Sequence, residues 1–151
     1  MLRHTLATLA YRAGKALGGA PASFSDFAPA PGSRSAGQIL AHMGDLMDWG
    51  ASMARGAQTW TNSPVQTWDA DVRRFFASLA AFDAAIAAST LDEATANKLF
   101  QGPIADSLTH IGQLTMLRRV EGTPMRSENY HKAEIVAGRV GPDQTPPRRE
   151  F

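Results

Sequence analysis

Cysteine is absent from this chain of 151 residues. That excludes a disulfide framework and any thiolate-bound metal, and leaves histidine, aspartate and glutamate as the strong ligand types. An excess of either charge is also missing, since 15 Lys and Arg stand against 14 Asp and Glu for a formal net charge of +1. The arginines cluster only as the pairs Arg73-Arg74, Arg118-Arg119 and Arg148-Arg149, too short for a basic stripe, so no nucleic-acid partner is expected. Long hydrophobic runs are lacking too: nowhere do about 18 apolar residues follow one another. The start Met1-Leu2-Arg3-His4-Thr5-Leu6 has no apolar stretch leading to a small-residue cleavage site. Neither a membrane span nor a signal peptide is expected, and the cytoplasm is the expected location. The length fits one domain, residues 1–151, and a domain of that size buries about 68–70% of its unfolded surface.

What is present is helical periodicity. Leu2, Leu6, Leu9, Ala10, Ala13 and Leu17 predict a first helix over 2–17, stopped by Gly18-Gly19. A loop rich in Gly, Pro and Ser follows to Ser35, with Phe24 and Phe27 expected to pack over the core. Ser33 or Ser35 can cap a second helix carrying Ile39, Leu40, Met43, Leu46 and Met47, with His42 at the border of that stripe. Ser63-Pro64 reads as the start of a third helix, whose seam is Val65, Trp68, Val72, Phe75, Leu79, Phe82 and Ile86. Thr90-Leu91-Asp92-Glu93 reads as a capping box for a short helix, which Gln101-Gly102-Pro103 should terminate. A last long helix then runs to Gly122-Thr123-Pro124, and the remainder reads as an extended tail with one short helix near 131–137. No strand is expected. The fold class is all-α: four long helices in a bundle, with an ordered tail.

With only four histidines, the candidate ligands are few. In a helix, Asp106 and His110 lie one turn apart, with side-chain roots about 5–6 Å from each other. His42 belongs to a different helix and could join them across the bundle. Two imidazoles and a carboxylate make a three-ligand site with an open side, compatible with zinc in a hydrolytic centre and with non-haem ferrous iron. Each residue also has an ordinary reading. His42 also reads as a histidine satisfied within a helix interface, and His110 as one donating to a backbone carbonyl, with Gln113 a plain polar neighbour. Asp106, in the first turn after Pro103, can simply be a carboxylate stabilised by about 0.3–1 kcal/mol at a helix start. Trp49, Trp60 and Trp68 read as packing groups, His4 and His131 as surface or tail residues, and Arg118-Arg119 as a solvated helix end.

Taken together, Tyr11-Arg12-Ala13, Ile39-Leu40-Ala41-His42-Met43, His110-Ile111-Gly112-Gln113-Leu114, Leu117-Arg118-Arg119 and Gly122-Thr123-Pro124 give the chain a likeness to a known family. It resembles the DinB-like superfamily of small metal-binding four-helix proteins, which includes YfiT-type hydrolases and thiol-dependent transferases and isomerases. The resemblance implies a DinB/YfiT-like bundle and a metal site of His42, Asp106 and His110, where the family commonly has histidine at the position of Asp106. It implies a divalent ion, with zinc, nickel and iron the candidates. It further implies a metal-dependent S-transferase or hydrolase acting on a small molecule such as a low-molecular-weight thiol, and a homodimer. The alternative is a non-catalytic, stress-associated dimeric binding protein whose metal site is structural or vestigial.

Overall fold

The computed structural model describes residues 1–151, and its regular elements are all helical, with no strand; the one β-type contact is an isolated antiparallel bridge between Glu128 and Glu150. Helix α1 spans Leu2–Leu17, α2 Ala36–Ala54, and α3 Trp68–Ala88; the fourth run consists of α4, Glu93–Leu99, a π-helical turn, Phe100–Ile104, and α5, Ala105–Glu121. Helix α1 packs against α3 and α5, and α2 packs against the same two. The bundle is therefore a ring in the order α1, α3, α2, α5, with α1 across from α2.

That ring explains the long first loop. Residues 18–35 must cross one end of the bundle to get from α1 to the helix opposite, and on the way they drop Phe24 fully into the core from a 3₁₀ turn, Ala22–Asp26. The core itself is built from Leu6 and Leu9 of α1, Leu40, Met43 and Met47 of α2, Phe75, Leu79 and Phe82 of α3, and Leu99, Ile104 and Leu114 of the last run, all fully buried. Those of α1, α2 and α3 are the periodic positions of the sequence. A ring edge of Phe82 occupies the space above Gly50, where an added Cβ would lie 2.5 Å from the ring.

Three helix starts and stops differ from expectation. Helix α2 opens as foreseen on Ser35, whose hydroxyl accepts from Gln38 N–H while Gln38 Oε1 accepts from Ser35 N–H. Helix α3, however, starts at Trp68 with Thr67 as its cap, not at Ser63-Pro64. The reason is tertiary: Ser63 N–H donates to Asp45 Oδ2 and Gln66 N–H to Asp71 Oδ2, which tie 63–66 to the middle of α2 and to the first turn of α3. Helix α4 is capped by Asp92, which accepts from Thr95 N–H, rather than by Thr90. Most consequentially, Gln101-Gly102-Pro103 does not end a helix. Proline has no N–H and its ring collides with the carbonyl four residues back in an α-helix; the wider π turn accommodates it, and the chain continues into α5 without a break.

Gly122, with φ +96°, ends α5 in the left-handed conformation that glycine tolerates best. The tail beyond it holds only one 3₁₀ turn, Tyr130–Lys132, in place of the short helix expected near 131–137, because Asn129 caps that turn and Ala133 is already extended. The tail is fastened to α1: Tyr11 donates to buried Glu128 at 2.7 Å, Lys15 bridges Glu128 and Glu150, and the Arg12 guanidinium lies over the Tyr130 ring. Burial and the adjoining Glu128 carboxylate push the Tyr11 phenol far above its ordinary pKa. Arg118 corrects a further expectation. It is not a solvated helix end but is 5% exposed, donating to the carbonyls of Ala16, Gly18, Gly19 and Thr123. No helix is long and apolar enough to cross a membrane.

Candidate metal centre

Where α2 meets α5, the three residues singled out in the sequence come together. His42 Nε2 lies 3.5 Å from Asp106 Oδ2, and His110 Nε2 lies 3.4 Å from Asp106 Oδ1. One ligand atom from each residue falls within 4.8 Å of the others. A tetrahedral ion with bonds of about 2.0–2.1 Å separates neighbouring ligand atoms by about 3.3 Å, and each imidazole nitrogen stands near that distance from one oxygen of Asp106, His42 from Oδ2 and His110 from Oδ1. The donor set of two imidazoles and one carboxylate also suits zinc, nickel or iron.

The hydrogen bonds show how this arrangement is compatible with a bound cation. His110 Nδ1 is 2.8 Å from Gln113 Oε1. A carbonyl oxygen only accepts, so Nδ1 is the protonated nitrogen and, in the neutral ring, Nε2 turns a lone pair toward Asp106. Acceptor faces acceptor there, at a distance beyond an ordinary hydrogen bond. A proton or a metal ion between them removes the conflict. His42 is kept toward its neutral, ligand-competent form: burial lowers its pKa, as do the nearby His110 and Arg34 charges, against the opposing pull of Asp106. The side chains are 10% exposed for His110, 22% for His42 and 45% for Asp106, so the cluster is walled by protein on the histidine side and wet on the carboxylate side.

The ordinary reading of Asp106 loses its basis in this setting. Ala105 N–H already bonds to the carbonyls of Gly102 and Phe100, so α5 has no free, positively charged N-terminus at Asp106; the open end of that run lies at Asp92. His42 is half-buried at the helix border, as its position in the α2 pattern implied, and His4 and His131 are exposed and do not belong to the group.

Three neighbours escaped the sequence reading. Gln113 orients His110 instead of being a plain polar neighbour. Trp60, one of three tryptophans read as packing groups, packs its exposed ring edge-on against His42 at 5.7 Å and against Trp49 at 5.7 Å, whereas Trp68 is buried in the core as expected. Arg34 lines clefts on both the His110 and the His42 side of the cluster. For Gln113 the spacing of three from His110 was the available signal; Trp60 and Arg34 sit in irregular segments, where no periodicity predicts direction. Gln113→Leu is expected to weaken divalent-metal affinity 10–100-fold, the usual effect of losing the partner that orients a metal-binding imidazole. Competition against a chromogenic chelator measures this, and unchanged affinity would show that Gln113 does not position the ring.

Fold and site thus define an all-helical protein with a three-residue group able to hold a metal ion. No protein-family model, curated protein or solved structure matches the chain.

Proposed function

We propose that this chain is a DinB-like metal-dependent enzyme of the S-transferase or hydrolase type, acting on a small molecule, with a low-molecular-weight thiol the first candidate. The observation that carries the reading is the convergence of His42 Nε2, His110 Nε2 and the Asp106 carboxylate on one space with a wet side. The order of the ligands in the bundle supports it as well: one histidine on the second helix, and the other ahead of Gly112-Gln113 on the last.

A divalent cation held there supplies Lewis acidity, lowering the pKa of a water or thiol that reaches its open side. The chain does the rest. Gln113 holds the proton on His110 Nδ1 and so keeps Nε2 free for binding. Trp60 and the walls of α2 and α5 exclude water from the imidazoles, while half-exposed Asp106 leaves access for a substrate. As an anion, Asp106 lowers the net charge of the site by one relative to a third histidine, so its activating power is smaller and it suits a thiol better than water, because a thiol is already the stronger acid. The rival reading, a non-catalytic dimer with a structural site, calls for a closed centre, and the exposure of Asp106 counts against it.

The test is conjugation of small thiols to a chromogenic electrophile, alongside ester hydrolysis, by the full chain stripped of metal and then loaded with zinc, nickel or ferrous iron. Turnover is expected only in a loaded form and is expected to fall at least 100-fold in His110→Ala. Turnover that survives complete metal removal would reject both metal mechanisms. Tightly bound metal without turnover on any substrate would favour the structural site.

A further inference from the structure

Beside the cluster runs a groove of about 500 Å³, floored by Ile39 of α2 and Leu117 of α5 and opening at one end on His110. We propose that its occupant is an amphiphilic anion, the substrate of the metal site or part of it, with its oxyanion held at Arg34 and its apolar chain laid along α5 toward Val120. The inference rests on the reading of the cluster as a working site and adds to it the chemical class the site admits.

The apolar half of the argument is a matter of spacing and exposure. Gln113, Met116, Leu117 and Val120 follow His110 at helical intervals, so they form one stripe leading away from the cluster. From residue 110 to residue 120 that stripe runs about 15 Å at 1.5 Å per residue. Leu117 and Ile39 are 7% and 5% exposed and make the floor, while Met116 and Val120 are 55% and 61% exposed and stand along the wall. Large apolar side chains left wet beside a candidate reaction centre are what an apolar ligand would cover, and the groove volume falls within the range of small-molecule sites.

The polar half is Arg34. It is exposed and joins no ion pair. It lines both this groove and the cleft around His42, and its charge is felt at His42 itself. It directly precedes Ser35, the cap of α2, so its charge adds to the positive end of that helix. No aspartate or glutamate lines the groove. In the His42 cleft the one carboxylate, Asp45, is taken up by Arg74 and by Ser63 N–H. The groove lining therefore carries a free positive charge and no negative one; Asp106, 3.4 Å from His110, belongs to the cluster at the groove's end, so at Arg34 an anion is favoured over a cation of the same shape.

The experiment is calorimetric titration of the full chain, stripped of metal and again with zinc, using decanoate, the decyltrimethylammonium cation and propionate, all below micelle-forming concentrations. Decanoate is expected to bind near one per chain, the cation at least tenfold more weakly, and propionate without saturation. Arg34→Gln should weaken decanoate at least tenfold and leave the cation binding no weaker, so that the preference between the two narrows. Val120→Asp, at an exposed position whose folding a thermal melt verifies, should weaken decanoate at least fivefold. Equal affinity for the two amphiphiles, indifference to Arg34→Gln, or no saturable decanoate binding would overturn the proposal. A dimer that Val120→Asp converts to monomer, with no decanoate bound, would make the groove an interface between copies instead. Decanoate binding to the metal-free chain separates the two ideas: it persists if only the metal reading is wrong, and it is missing while metal still binds if only the groove is wrong.

Discussion

Replacing either His42 or His110 with alanine is expected to remove near-stoichiometric divalent metal from the protein. The loss of affinity should be at least 100-fold, above the 10–100-fold typical of residues that only orient a ligand. In the proposed site each imidazole is one of three donors, and no other histidine belongs to the group. Asp106→Ala should lose metal comparably, because both imidazole nitrogens are aimed at that carboxylate, 3.4 and 3.5 Å away. Asp106→His should retain it, since an imidazole at the same helical position restores the donor count while raising the net charge of the site by one. Elemental analysis of untagged protein measures content. Trp60, edge-on to His42 at 5.7 Å, offers an optical signal, because a paramagnetic ion such as nickel at the cluster should quench it. Equal metal content in wild type and all three alanine variants would remove the site altogether, and loss confined to the histidine variants would remove Asp106 from it.

The second large effect is expected far from the cluster. Arg118→Met should lower stability by about 2–3 kcal/mol. Two opposing contributions decide the size. Taking a buried charge out of the interior is favourable by itself, and burial does lower the Arg118 pKa. Against that, the guanidinium donates to four carbonyls, among them Ala16, Gly18 and Gly19 at the end of α1. Those carbonyls have no intrahelical donors. Each acceptor left buried without a donor costs about 1–3 kcal/mol, although the ones near exposed Gly18 and Gly19 can recruit water. The loss of bonds wins. Urea unfolding followed by circular dichroism gives the number, and the midpoint of thermal unfolding should fall by roughly 4–12 °C. A change below about 0.5 kcal/mol would show that solvent replaces the guanidinium without penalty.

Much of the fold was legible because its signals are local. The limits of α1 followed from the leucine spacing and Gly18-Gly19, and the start of α2 from the capping serines at 33 and 35, of which the structure uses Ser35. His42 and the Asp106–His110 pair were legible for the same reason: helical spacing fixes which side chains share a side. What failed to show was decided by partners distant in sequence. The proline of Ser63-Pro64 looks like a helix opening until Asp45, eighteen residues earlier, takes up Ser63 N–H. Arg118 looks solvated until the end of α1 is brought to it, 102 residues away in the case of Ala16. Arg34 and Trp60 approach the cluster from segments without regular structure, so their direction follows from tertiary packing alone. Pro103 was misread for a different reason. Local rules favour a stop there, and the wide turn is an uncommon alternative that preserves the run.

That wide turn, Phe100–Ile104, has a bearing on the carboxylate just beyond it. Successive residues of a helix are rotated by about 100° around its axis, so the number of residues accommodated before Ala105 sets the angular phase of everything after it. A wide turn takes one more residue into a revolution than a regular α-helix does, so winding the same residues as a regular α-helix, with α4 held in place, would swing Asp106 and His110 together out of line with His42. The aim of two of the three donors is thus encoded upstream, in a loosened coil that itself grips no ion.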